Sequence, residues 1–232
     1  MKASERVVAA ILEAIASGEF PIGEELPAES ALAERYSVSR LTIREATGVL
    51  ASAGVLEVQQ GRRNRIADMA RWSVLDPAIV ETRARLQGST AELVAELMEA
   101  RRVLEVGIAR LAARRVDDEQ LTALAEQVEL MRACIEDDSM VERSASADIR
   151  FHEVIQEAAR NAYLAGAFAP LSQMLLRVRL ETSSTRSVRA DAVAWHEKIL
   201  AALQAHDEDA AGAAMTGHMA QTSEATRTIS LV

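Results

Sequence analysis

Two short helices joined by a tight turn are predicted between Leu26 and Leu50, and no other stretch restricts the fold as strongly. Ser39 suits the N-cap of the second helix, because its hydroxyl can accept a hydrogen bond from a free N–H of the first turn. At helical spacing one face of that helix carries Arg40, Leu41, Arg44 and Gly48, and the other carries Ile43, Ala46, Thr47 and Leu50. Such a helix is typical of the recognition helix that enters the DNA major groove. A surface helix with two solvated arginines is the alternative.

A basic hairpin is predicted directly after this helix. Residues 55–58 and 65–67 have the pattern of two short strands, and the turn between them contains Gly61, Arg62 and Arg63. Ahead of the helix pair, apolar residues at helical spacing predict one more helix over residues 4–18. Three helices followed by a basic hairpin form a winged helix-turn-helix, and this order favours DNA binding.

The distribution of charge supports this interpretation, although the whole chain has a net charge of −9. Six arginines and only two glutamates lie between residues 35 and 65, so this stretch carries +4 and the rest of the chain −13. A basic patch on an acidic body can hold phosphates while the body limits non-specific association. The single cysteine, Cys134, excludes an internal disulfide, and no apolar run predicts a membrane span or a signal peptide. We therefore expect a cytoplasmic protein with no membrane partner.

The first third of the chain resembles the N-terminal domain of GntR-family bacterial transcription regulators. The resemblance is carried by Gly18, Pro21, Gly23, Leu26, Pro27, Glu29, Leu32, Ala33, Val38, Ser39, Arg40, Ile43, Arg44, Glu45, Ala46, Leu50 and Gly54. By position, it implies DNA contacts by Ser39, Arg40, Thr42, Arg44 and Gly61. Arg40 and Arg44 could each present a bidentate fork to guanine, while Ser39 and Thr42 suit phosphates.

Three positions depart from the family pattern. Ser30 stands where many members have an arginine that touches DNA. Leu41 replaces a usual threonine, so a contact with a thymine methyl group is expected there. Arg62 follows Gly61 where a second glycine is common, which leaves open how deeply the wing enters the groove, and the basic Arg62 is included among the DNA-binding candidates.

The rest of the chain predicts helices only. Residues 1–68 are assigned to the winged helix-turn-helix, 69–88 to a linker with a short helix beginning at Pro77, and 89–232 to an all-helical domain. Two capping boxes, Ser89 with Glu92 and Asp117 with Gln120, mark the starts of its first helices. Six or seven helices with short connections predict an antiparallel bundle, so the fold class is mainly α.

Four side chains in this bundle have the chemistry of a metal site. Asp148 and His152 lie one helical turn apart on an inward face, and His196 and His218 lie on apolar faces of two other helices. Imidazoles and a carboxylate suit a divalent transition metal, with zinc, nickel and manganese as the first candidates. The alternative for each histidine is a core residue hydrogen-bonded to a neighbour. Arg101 also lies on an apolar stripe, so its guanidinium needs an anionic partner. That partner is either a ligand carboxylate or an internal acid such as Glu105 or Asp148.

The bundle resembles the FCD effector domain of the FadR-like branch of the same family. The resemblance spans about residues 92–226 and rests on Asp148, Phe151, His152, Asn161, Trp195, His196, Ile199 and His218. It implies a metal bound by Asp148 and the three histidines, and a small carboxylate effector contacted by Arg101, Asn161 and Arg179. The linker around Trp72 and Pro77 is similar to that of sugar-acid-responsive members, which suggests a sugar acid.

The sequence thus predicts an effector-controlled transcription regulator, in the form of a repressor. A homodimer would bind a palindromic double-stranded DNA operator. Two alternatives stay open at this point. The metal could be purely structural, or the bundle could be a metalloenzyme acting on hydroxy acids, since an open metal site can activate water.

Overall fold

The computed structural model describes residues 2–58, 62–88 and 90–227, which form two compact units, Met1–Thr90 and Ala91–Val232. The first unit contains α1 (Ala3–Ala16), α2 (Glu29–Arg35), α3 (Arg40–Ser52), β1 (Leu56–Glu57), β2 (Arg65–Ile66), a 3-10 turn (Met69–Arg71) and α4 (Pro77–Gln87). After it come α5 (Thr90–Ala113), α6 (Asp118–Ala133), a 3-10 turn (Asp138–Met140), α7 (Val141–Ala158), α8 (Ala162–Ser183), α9 (Arg186–Gln204) and α10 (Glu208–Arg227). The predicted mainly α class is confirmed. None of the helices that the structure describes is long and apolar enough to cross a membrane.

The recognition helix α3 forms as the sequence predicts. Ser39 is its N-cap, and its hydroxyl accepts a hydrogen bond of 3.1 Å from the Thr42 N–H. The inner face, Ile43, Ala46, Thr47 and Leu50, is buried against the core of the first unit. Because that face is held in the core, the opposite face of α3 is presented to solvent.

A small antiparallel hairpin follows α3. Leu56 pairs with Ile66 and Glu57 with Arg65, and Glu25 forms an isolated bridge to Arg65 on the other side of β2. The chain ahead of α2 therefore adds a third extended segment to the base of the wing. The predicted wing contact Gly61 lies outside the described residues, as does Ser89 of the predicted capping box.

The segment after the wing, assigned above to a linker with a short helix, packs in the core of the first unit. Trp72 and Ile79 are buried there, and the Trp72 indole N–H donates to the Ala67 carbonyl at 2.9 Å. Asp76 caps α4, and Pro77 is its first residue. Residues 69–88 belong to the first unit because burial of an indole and an isoleucine stabilises them there.

Gly54, at the end of α3, is required by its surroundings. Its φ is +76°, and an added Cβ would lie 2.1 Å from the Arg71 carbonyl oxygen. We expect Gly54→Ala to destabilise the first unit by about 2–3 kcal/mol, because the strained backbone conformation and the clash add. Urea unfolding would measure the change. Gly48→Ala is the matched control, since the space around Gly48 in α3 is open and alanine should be neutral or stabilising there. Equal stability of the two variants would contradict this account.

The second unit is a helical bundle around one apolar core. Helix α6 packs against α7 and α9, α7 also packs against α8, and α9 packs against α10. The capping box predicted at Asp117 and Gln120 is present at the start of α6. Helices α5, α7, α9 and α10 each turn at least one ionisable side chain towards the interior, and these side chains form the site described next.

Candidate functional site

The segment leading into α2, Arg40 and Thr47 of α3, and residues 62–64 of the wing border one open groove in the first unit. Arg40, Arg62 and Arg63 contribute to its lining and are exposed, and Leu41 is 67% exposed. The side chain of Arg44 is 68% exposed and its Nε lies 2.8 Å from a Glu29 carboxylate oxygen. Because an exposed ion pair of this kind is worth about 0–1 kcal/mol, Arg44 can leave Glu29 at little cost and present its two donors to a guanine edge.

The three predicted histidines and Asp148 converge in the second unit. Asp148 and His152 are carried by α7, His196 by α9 and His218 by α10. One ligand atom from each residue lies within 4.8 Å of all the others. The His152 Nε2 lies 3.2 Å from the His218 Nε2 and 3.4 Å from the His196 Nε2, and the His196 Nε2 lies 3.3 Å from the Asp148 Oδ1. The sequence placed these residues on inward faces, and the tertiary structure brings them to one point.

These separations fit a first-row divalent metal. With metal–ligand bonds of about 2.1 Å, neighbouring ligand atoms of a tetrahedral site are about 3.4 Å apart. The observed distances between nitrogen atoms, 3.2 and 3.4 Å, lie close to that edge length. When each Nε2 carries its lone pair, the facing lone pairs repel at such distances, and a cation between them removes the repulsion. The donor set therefore fits a bound metal better than a set of core residues satisfied by one another.

Burial favours the neutral form of the His196 and His218 imidazoles. Removal from water lowers the pKa of His196 to about 3, although Asp148 opposes the shift, and lowers the pKa of His218 well below its usual value. Burial alone would raise the pKa of Asp148, but Arg179, His152 and His196 together lower it to about 2. At neutral pH His196 and His218 thus offer imidazole lone pairs and Asp148 an ionised carboxylate, the forms that bind metal.

Glu105 links the cluster to Arg101. Its Oε2 lies 2.5 Å from the His152 Nδ1, and its Oε1 accepts a 2.7 Å hydrogen bond from the Arg101 Nε. Burial would raise the pKa of Glu105, yet Arg101, His152 and Arg179 hold it well below its usual range. A carboxylate on Nδ1 fixes the tautomer of His152 so that Nε2 carries the lone pair. The internal ion pair considered for Arg101 is therefore present.

Arg179 forms an ion pair with the Asp148 oxygen that does not face His196. Its Nη1 is 2.8 Å from the Asp148 Oδ2, while its Nε and Nη2 are buried and have no hydrogen-bond partner among the described residues. Arg179, Arg101, Asp148 and His218 all line one small cavity in the second unit. Two guanidinium groups and two of the candidate metal ligands thus face the same space.

Asn161 is not brought to this cavity. Its side chain caps α8 and accepts hydrogen bonds from the backbone N–H groups of Tyr163 and Leu164 at 3.1 and 3.2 Å. The N-cap position directly before α8 explains this engagement, because the amide oxygen satisfies free N–H groups of the first turn. The sequence analysis expected an effector contact here, and the residues that line the cavity do not include it.

The structure gives Glu105 one more contact than the sequence analysis predicted. It was considered only as a partner of Arg101, and its contact with His152 was not foreseen. The available signal was its position one helical turn after Arg101, since two opposite charges at that spacing on an inward face meet in the interior. Which histidine they reach depends on how α5 packs on α7.

Comparisons with known proteins agree with both units. Residues 3–66 match the family described as "Bacterial regulatory proteins, gntR family", and residues 96–221 match the FCD domain. The transcriptional regulator LutR of Bacillus subtilis is 29% identical over 88% of this chain and 92% of its own length. The transcriptional repressor NanR of Enterobacter sp. is 26% identical over 94% of this chain and 83% of its own length. The solved structure of Streptococcus agalactiae GntR has 27% identity and a TM-score of 0.54, covering 95% of this chain and 99% of that one.

The winged unit and its relatives define a DNA-binding transcription regulator, not an enzyme. The FCD match alone spans more than half of the chain. The protein belongs to the GntR family of bacterial regulatory proteins and carries an FCD domain after its winged helix-turn-helix.

Proposed function

We propose that this regulator is a repressor whose affinity for its operator is set by a small carboxylate effector bound beside a divalent metal. Asp148, His152, His196 and His218 would hold the metal, with zinc, nickel or manganese as candidates. The observation that carries the proposal is the convergence of three imidazole Nε2 atoms and one carboxylate oxygen in a buried cluster. When bound, the metal would supply a Lewis-acidic position for an effector oxygen.

The chain's own residues suggest how an effector would be held. Arg101 and Arg179 line the cavity together with Asp148 and His218, and a guanidinium binds a carboxylate through two parallel hydrogen bonds. The Nε and Nη2 of Arg179 have no partner among the described residues, so they are the donors that would form such a fork. Hydroxyl-bearing side chains, including Ser144 and Thr222, also line the cavity and suit a hydroxylated acid such as a sugar acid.

Control of DNA binding would work through a homodimer in the cytoplasm. Two winged units related by two-fold symmetry would contact the half-sites of a palindromic operator, with Ser39, Arg40, Leu41, Thr42, Arg44, Gly61 and Arg62 at the interface. An effector can change operator affinity only by binding one arrangement of the winged units more tightly than another. A tenfold change in operator affinity requires about 1.4 kcal/mol of such differential binding.

Operator titration tests the proposal directly. Affinity for a promoter fragment is measured with metal-loaded and metal-stripped protein, each with and without a panel of small carboxylates. We expect at least one carboxylate to change operator affinity about tenfold or more with the loaded protein only. If metal changes thermal stability but no carboxylate changes operator affinity, the metal is structural and effector control is wrong.

Metal removal should lower the thermal stability of the bundle. A ligand at about 100 times its Kd stabilises the native state by about 2.7 kcal/mol, which corresponds to about 5–10 °C in Tm for a domain of this size. Differential scanning calorimetry before and after dialysis against a chelator, followed by addition of Zn²⁺, measures the shift. An unchanged Tm at saturating Zn²⁺, Ni²⁺ and Mn²⁺ would refute the metal site.

A further inference from the structure

Counted over the side chains that the structure describes, the ion pairs of the buried cluster balance electrically before any metal binds. It contains two guanidinium groups, Arg101 and Arg179, and two carboxylates, Glu105 and Asp148. Their side chains are 1%, 5%, 3% and 17% exposed, in that order. Each arginine lies next to one carboxylate, at 2.7 Å for Arg101 and Glu105 and at 2.8 Å for Arg179 and Asp148. The histidines that would bind a metal must be neutral to do so, so they add no charge.

A divalent metal would upset this balance. The cation adds two positive charges to a region from which water is largely excluded, and the four charged side chains are already paired with one another. Buried charge without compensation is strongly unfavourable, because the low dielectric of the interior screens it poorly. Up to two negative charges from outside the chain would therefore stabilise the metal-loaded cluster.

The cavity is placed to receive those charges. It is small, about 40 Å³, and Arg101, Asp148, Arg179 and His218 contribute to its walls. The Nε and Nη2 atoms of Arg179 are buried and unpartnered among the residues that the structure describes. An anion in this cavity would lie beside Asp148, His218 and the side chain of Arg179. A ligand with one anionic group at each end could place one group at the metal and the other at Arg179.

We propose that the effector is a small dicarboxylate, and that the site selects two negative charges over one in ligands of equal size. The inference rests on the proposed function, since it presumes a metal and an anion in this cavity. Among sugar acids it favours those with a carboxylate at both ends. The Arg189 side chain also lines the cavity. Its guanidinium donates to the backbone carbonyls of Ile135 and Ser183 and pairs with Asp138 at 2.5 Å. Because Asp138 compensates its charge, Arg189 does not change the net charge of the cluster.

Isothermal titration of zinc-loaded protein with matched ligands tests the charge requirement. Malonate is compared with malonamate, and succinate with succinamate, because each amide has nearly the size of its partner but one charge fewer. We expect the dianion of the better-fitting pair to bind about tenfold or more tightly than its amide. In zinc-free protein the ratio of the affinity for the dianion to the affinity for its amide should fall to about one. Zinc content is measured after each titration, so that removal of metal by the ligand is detected.

Two groups of variants should move this ratio in opposite directions. Glu105→Gln leaves one more positive charge and should increase the preference for the dianion. Arg179→Gln and Arg101→Gln each remove one positive charge and should decrease it. The ratio compares two ligands on the same variant, so a general loosening of the site cancels. Arg132→Gln, at an exposed position of α6, is the control and should keep the ratio of the unaltered protein.

The outcomes separate this inference from the proposed function. Equal affinity for acid and amide in both pairs would overturn the dianion requirement while leaving a carboxylate effector intact. A decrease of the ratio in Glu105→Gln as well as in the arginine variants would also overturn it, because charge would then not be the cause. If neither pair binds to zinc-loaded protein, the dicarboxylate inference fails, while the operator titration with the wider panel of carboxylates still decides the proposed function.

Discussion

Replacing Arg40 by alanine is expected to abolish specific operator binding. Arg40 is exposed on the outer face of α3, one residue after the N-cap Ser39, where a side chain can reach base edges. A bidentate arginine–guanine contact contributes about 1–3 kcal/mol of discrimination, and a homodimer makes it twice. The expected loss is therefore about 30-fold to 10⁴-fold in affinity for the operator. Affinity for unrelated DNA should change little, because phosphate contacts supply most of it.

Gel shift or fluorescence anisotropy at fixed salt, with operator and scrambled duplexes, measures the loss. Arg85→Ala is the matched control: Arg85 lies on α4, pairs with Glu13 and does not line the groove beside the wing. Its removal should leave the operator preference unchanged. A proportional loss on operator and scrambled DNA in Arg40→Ala would show that Arg40 positions the protein on phosphates instead of reading bases.

Replacing His152 by alanine is expected to remove metal binding and, with it, the response to effector. Its Nε2 lies between those of His196 and His218, at 3.4 and 3.2 Å, so it is central to the cluster. Loss of a residue that hydrogen-bonds to a metal ligand typically costs about 10–100-fold in metal affinity, and loss of the ligand itself should cost more. The substitution also leaves Glu105 without its contact to an imidazole. Operator binding without effector should persist, because α3 and the wing belong to the other unit.

Metal affinity is measured by competition with a chromophoric chelator, and effector response by operator titration. His206→Asn is the control, since His206 is exposed and outside the cluster, and asparagine tolerates its φ of +52°. If His152→Ala keeps a metal affinity within about tenfold of the unaltered protein, His152 is not a ligand. If His152→Ala and Arg40→Ala both lose operator binding to the same extent, the division of labour between the two units is wrong.

Local pattern was enough to predict most of the helical framework. Ser39 predicts the start of α3, because a hydroxyl at the N-cap accepts a hydrogen bond from a free backbone N–H group. The structure shows this hydrogen bond. The inward positions of His152, His196 and His218 follow from helical spacing against apolar neighbours. The segment around Trp72 and Ile79 was harder to place, because two apolar residues in a polar stretch do not say which unit buries them.

Residue types at helical spacing, together with the resemblance that the motifs carry, determined the winged helix-turn-helix, the helical bundle and the four candidate metal ligands. Only the tertiary structure decided that these ligand atoms meet, that Glu105 contacts both His152 and Arg101, and that Asn161 caps a helix and stays out of the cavity. The physical reason is that helix periodicity fixes the direction of a side chain relative to its own helix. The distance between side chains on different helices depends on how those helices pack, and this is a property of the whole core.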